Sequence, residues 1–115
     1  MRGKPDSHLG DKPMRENVRI TVMKRLLLQD MVDESASGPW VACNRLAEGQ
    51  EFVSQDANMP EGFCSWAWAD IHKYVVALAR GADFLGSMPG RTVACCTDGY
   101  RPVIFRLERC GPTEG

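Results

Sequence analysis

One stretch limits the folds open to this chain more than any other: residues 60–83, PEGFCSWAWADIHKYVVALARGAD. Within it Cys64, Trp68, Ile71, Val75 and Leu78 recur at alternating steps of four and three, the repeat that lines up side chains along one side of an α-helix. Ala67 and Tyr74 widen the stripe. No other run in the chain has helical periodicity of this length, so any core must be built on it. Trp66, Asp70, Lys73 and Ala77 fall on another face, which leaves Trp66 exposed unless a loop covers it. The helix is expected over residues 65–80, with Ser65 as a candidate cap, Arg80 as a cation in the last turn and Gly81 free to take the left-handed terminating conformation.

The flanking segments change period. Val18, Ile20 and Val22 alternate with Arg19, Thr21 and Met23, the repeat of a half-buried strand that continues towards Leu26. Residues 49–54 read as a second short strand anchored by Phe52. Residues 92–96 and 102–108 read as two more, joined around Thr97, Asp98, Gly99, Tyr100 and Arg101, with Asp98-Gly99 as the turn signal. Symmetric pairing about that turn puts Cys95 opposite Val103 and Val93 opposite Phe105, with Leu107 on the same face as the expected core side. Cys96 then points away, unless a bulge beside the turn re-aims it. Residues 28–49, which include a possible turn of helix before Ser37-Gly38-Pro39, read as a long loop carrying Trp40 and Cys43. These elements predict an α+β fold: a small antiparallel sheet of about four strands with one main helix packed across one face. A single domain over residues 18–109 is expected, between a mobile tail at 1–17 and a polar tail at 110–115.

Charge and cysteine usage narrow the function. A formal net charge of −1 in 115 residues lacks the basic excess that nucleic acid requires. No apolar run reaches the roughly 20 residues of a membrane span, and residues 1–17 contain no apolar signal-peptide core. The expected partners therefore exclude nucleic acid and membrane. Cys43, Cys64, Cys95, Cys96 and Cys110 form an odd set without CxxC spacing, and on a regular strand Cys95 and Cys96 face opposite ways. Reduced thiols fit best, which points to a cytoplasmic protein.

The chemistry available lies in two stretches. Cys43, Cys64 and Cys96 come from a loop, a helix start and a strand end, and could converge; a cysteine at a helix N-terminus has its thiolate favoured by the dipole. Buried structural thiols are the competing reading for each. Asp98 and Arg101 suit an anion site, Arg101 holding a carboxylate that Asp98 orients, against the plainer reading that Asp98 bonds the amides of its own turn. Asp70 lies one turn after Trp66, and an aromatic neighbour is one way a pocket raises a carboxylate's pKa. His72 is two residues from Asp70 and cannot face it, so it reads as a solvated helix residue; His8 reads as a solvated tail residue. Trp40 suits a plug at one end of the core as well as a ligand wall. Without GxGxxG, P-loop, GxSxG or HExxH, the dinucleotide, nucleotide, triad-hydrolase and zincin readings have no support.

Pro60-Glu-Gly-Phe-Cys followed by Ser65-Trp-Ala-Trp-Ala-Asp-Ile, and then Cys95-Cys-Thr-Asp-Gly-Tyr-Arg-Pro-Val-Ile-Phe, resemble a family of short uncharacterised prokaryotic proteins with a GFC-to-AW helix start and a C-x-DG-x-RPV-x-F terminal hairpin. The first strand and Gly49-Gln-Glu-Phe-Val resemble the opening strand and GxEF element of the same family, so the match spans residues 18–109. It implies no activity, cofactor or partner. It does imply that Gly62, Phe63, Cys64, Ala67, Trp68, Cys96, Asp98 and Arg101 through Val103 are the defining positions.

The expected function is a small-molecule-binding domain or an enzyme for a compact organic substrate, with a pocket between the helix start and the terminal hairpin. Cys64, Asp70, Cys96, Asp98 and Arg101 are its candidate reactive groups, and Trp40, Trp66 and Trp68 its candidate walls. No metal or cofactor is assigned. A thiol-dependent metal or redox module using Cys43, Cys64 and Cys96 is the first alternative. A structural or partner-binding adaptor, a homodimer through the Trp66 edge included, is the second.

Overall fold

The computed structural model describes residues 16–112, and the expectations for His8 and for most of the N-terminal tail lie outside them. Strands β1 (Glu16–Arg25), β2 (Glu51–Ser54), β3 (Arg91–Cys95) and β4 (Val103–Pro112) form one antiparallel sheet in the order β2-β1-β4-β3. Two helices accompany it, α1 (Gln29–Ser35) and α2 (Ser65–Ala79), and the longer lies across the sheet. The expected α+β architecture is therefore present.

The alternation in β1 sets one face. Val18, Ile20 and Val22 are buried and meet Val103, Phe105 and Leu107 of β4. Onto this layer α2 lays Ile71, Val75 and Leu78 of the stripe its periodicity marks out, together with Ala67, while Cys64, Trp68 and Tyr74 are half-buried at its margin. The opposite face carries a row of charge: Arg19 lies 3.8 Å from Glu51 and 3.9 Å from Glu108, and Glu108 lies 3.2 Å from Arg91. These pairs are partly exposed, so each contributes at most about 1 kcal/mol. Their arrangement keeps that face polar without a second helix layer.

Several boundaries differ from the sequence reading. Glu16 pairs with Pro112 across the β1–β4 ladder, so Glu16 and Asn17 at one end, and Cys110, Gly111 and Pro112 at the other, are strand rather than tail. Polar and glycine-containing strand ends carry no period, and the long central pairing extends over them. Residues 29–35 form α1 rather than loop, with Val32 as their buried residue. A helix with one inward side chain leaves too little pattern to detect.

The β3–β4 register is also shifted from the symmetric one. Ala94 pairs with Phe105 and Cys95 with Ile104, while the Cys96 N–H donates to the Val103 carbonyl at 3.1 Å. Thr92, Ala94 and Cys96 therefore face the core, and Val93 and Cys95 face solvent, the reverse of the expectation. The cause is a longer connection. Pro102 has no N–H for the ladder, its carbonyl instead accepts the Leu26 N–H, and the loop includes it. A one-residue slip exchanges the two faces.

The ends of α2 are held by different means. At its C-terminus Gly81 (φ 97°) and Ala82 donate to Leu78 and Ala77, closing a Schellman turn that needs the left-handed glycine. The cation there comes from β4: the Arg109 guanidinium donates to the carbonyls of Leu78 (3.2 Å) and Ala82 (2.8 Å), while Arg80 is exposed. At the N-terminus the cap residue is Cys64, not Ser65.

Candidate functional site

A cavity of about 470 Å³ opens where the N-terminus of α2, the β3–β4 loop and the segment between α1 and β2 meet. Its floor is core: Val103, Phe105, Ala67 and Leu46. Its rim carries Trp40, Arg45, Cys64, Trp66, Asp98 and Arg101, and its lining also includes half-buried Cys43 and buried Cys96.

The first wall depends on a bulge. β1 pairs Val22 with Phe105 and then Lys24 with Ile104, so Met23 is the extra residue. Beyond it the phase of the strand flips, and Arg25, opposite Val103, turns to the helix side. Its guanidinium donates to the Cys43 carbonyl at 3.0 Å and its N–H to Glu48 at 3.0 Å. These bonds hold the segment that bears Trp40, Cys43, Arg45 and Leu46 over the sheet. Strict alternation in the sequence hides this bulge.

The second wall is the hairpin loop. Asp98 accepts the N–H groups of Tyr100 (3.0 Å) and Arg101 (3.1 Å) with one oxygen, and with the other it contacts Arg101 Nε at 3.4 Å. It thus performs the turn role while standing on the cavity rim. Arg101 stacks over Trp40, its guanidinium carbon 5.0 Å from the ring centroid, and Trp40 packs on Tyr100 at 4.8 Å. Such stacking suits the planar, weakly hydrated guanidinium. Trp40 joins the pocket wall and is half-buried there.

The third wall is the start of α2. Cys64 lies beneath the N–H groups of Trp66 and Ala67 without closing a regular capping hydrogen bond, and its sulfur is 3.7 Å from Arg45 Nη1. Burial opposes ionisation of this thiol. The Ala67 N–H, the Arg45 guanidinium and the Trp66 N–H outweigh it and hold the thiol below its ordinary value. Arg45 and Cys64 also border a smaller hollow of about 210 Å³ with Leu46, Gly62 and Phe63. Cys96 is different: it is buried, and its sulfur accepts the Val103 N–H at 3.3 Å.

Of the residues proposed from sequence, Cys64, Cys96, Asp98, Arg101, Trp40 and Trp66 border one cavity. Asp70 and Trp68 do not. Asp70 accepts the Thr97 N–H (2.8 Å) and hydroxyl (3.1 Å), tying α2 to the hairpin loop. Trp68 packs edge-on against Phe63 and over His72, whose ring nitrogen lies 3.2 Å from the Ala57 carbonyl, so His72 is exposed but not unattached. Arg45 and Leu46 were not singled out by sequence. They sit in irregular chain without periodicity, and nothing local marks them. Cys43 does reach the same cavity as Cys64 and Cys96, yet among the described residues no group of three His, Cys, Asp or Glu side chains is arranged to hold a metal.

Fold and cavity together define a small α+β domain with a mixed polar and apolar cleft at the N-terminus of its main helix. No family model, curated protein or solved structure matches the chain. Among the described residues no helix is long and apolar enough to cross a membrane.

Proposed function

We propose that this chain is a small-molecule-binding domain whose ligand enters the cleft between the start of α2 and the β3–β4 loop. The observation that carries the reading is the convergence of side chains from three separated segments, Trp40 and Arg45, Cys64 and Trp66, Asp98 and Arg101, around one cavity with an apolar floor. Its volume of about 470 Å³ falls within the usual range for compact organic ligands, roughly 300–1,000 Å³. Aromatic rims and a few placed polar groups are the composition such sites need.

The test is a titration of wild-type protein with a set of compact neutral and anionic organic molecules, followed by two-dimensional NMR. A ligand should shift the indole N–H signals of Trp40 and Trp66 and the Arg101 signals saturably, leaving Trp68 in place. Shifts that never saturate, or that spread evenly over the surface, would overturn the reading. The adaptor alternative keeps one observation in its favour: Trp66 is 66 % exposed. It predicts concentration-dependent shifts at Trp66 without any ligand.

A further inference from the structure

We infer that Cys64 is the nucleophile of this cleft and that the ligands it selects are compact anions bearing an electrophilic carbon, an inference that rests on the cleft being a ligand site as proposed above. The cleft separates its three thiols by role. The Cys96 sulfur is buried and occupied by the Val103 N–H. The backbone of Cys43 is held by Arg25, and among the described residues no cation is placed at its sulfur. Of the three, Cys64 is the one set beneath the first amides of a 15-residue helix and 3.7 Å from a guanidinium. Its lowered pKa is the consequence of that position.

The charge around it decides the ligand class. Asp98, the acid on the cleft lining, is engaged by the Tyr100 and Arg101 amides and by Arg101 Nε. Arg45 forms no ion pair with a carboxylate among the described residues, and its guanidinium donates to the Cys64 sulfur. A carboxylate entering the cleft therefore meets Arg45 directly, and its neighbouring carbon comes to the sulfur. In the step itself the thiol proton leaves to solvent and the sulfur lone pair forms the C–S bond. The leaving group departs with the former bonding pair, so no oxidant or reductant is required.

Iodoacetate and iodoacetamide provide matched probes, one anionic and one neutral, each losing iodide. Wild-type protein is treated with either near pH 7, and alkylation of each cysteine is followed over time by peptide mass spectrometry. Cys95, exposed on the opposite sheet face, is the reference thiol in the same molecule. With the guanidinium beside its sulfur, Cys64 should react with iodoacetate at least about fivefold faster than Cys95. Its iodoacetate-to-iodoacetamide rate ratio should also exceed that of Cys95. Both Arg45→Gln and added salt should bring the ratio down to the Cys95 value, and the salt arm needs no variant to fold. Equal rates at the two cysteines, or equal ratios, would overturn the inference. Titration with propionate, which cannot be attacked, separates it from the binding proposal. Saturable shifts at Trp40 and Trp66 without selective Cys64 alkylation would remove the nucleophile and leave the ligand site standing.

Discussion

Three aspartates show how single side chains shape this molecule. Asp70 accepts the Thr97 N–H, Asp98 those of Tyr100 and Arg101, and Asp83 that of Gly90, so each fixes a loop by satisfying backbone donors. Asp98's role was readable from Asp98-Gly99 alone, because a short acidic side chain bonds locally. Asp70 was not, since its partner lies 27 residues away and only packing of α2 beside the hairpin brings them together. Asp83 makes a pH prediction. The Arg109 guanidinium, 2.7 Å away, and then the Gly90 N–H hold its carboxyl below the ordinary value of 3.8. With the folded-state value below the unfolded one, its contribution is present above 3.8 and is lost as pH falls through the folded-state value. The difference in urea midpoint between wild type and Asp83→Asn should therefore be measurable near neutrality and vanish in strong acid.

At the scale of elements, α2 is the organising piece and its two ends have unlike duties. The C-terminus is a structural joint: Gly81 closes the turn and Arg109 reaches from β4 to the last carbonyls. Arg109→Met should lower stability by roughly 1.5–3 kcal/mol, the usual range for hydrogen bonds to a charged group, read as a shifted urea midpoint. The N-terminus carries no side-chain cap bond and instead faces the cleft with a thiol. Periodicity located this helix to within a residue of its end, because a stripe of apolar side chains records its own period. The register of β3 on β4 was lost for the opposite reason. Alternation is equally consistent with both phases until the loop length is known, and Pro102 made that loop longer than symmetry suggested.

For the whole molecule, the cleft shares its floor with the core, so its shape depends on packing that holds the sheet and helix together. Phe105 is fully buried beneath both, in contact with Phe63 at 5.4 Å between ring centroids. Phe105→Ala should cost about 3–5 kcal/mol. Against the 5–15 kcal/mol stability typical of a small domain, that is a large fraction. Trp66→Ala should change stability by no more than about 0.5 kcal/mol, since the side chain is mostly in solvent. Thermal and urea unfolding of the pair would show it: the core residue decides whether a cleft exists, and the rim residue does not.

What the amino-acid order settled by itself was where the repeats run, though not which face of β3 they bury. The main helix and its buried stripe, the alternating first strand and the mixed architecture all follow from side chains that sort by solvent at regular intervals. What only the folded chain decided was the company each polar group keeps: Cys96 turned inward by one residue of loop, Asp70 drawn off to Thr97, Arg25 swung round by the Met23 bulge, and Arg45 set beside Cys64. Contacts between distant segments depend on register and approach. Neither leaves a local period to read.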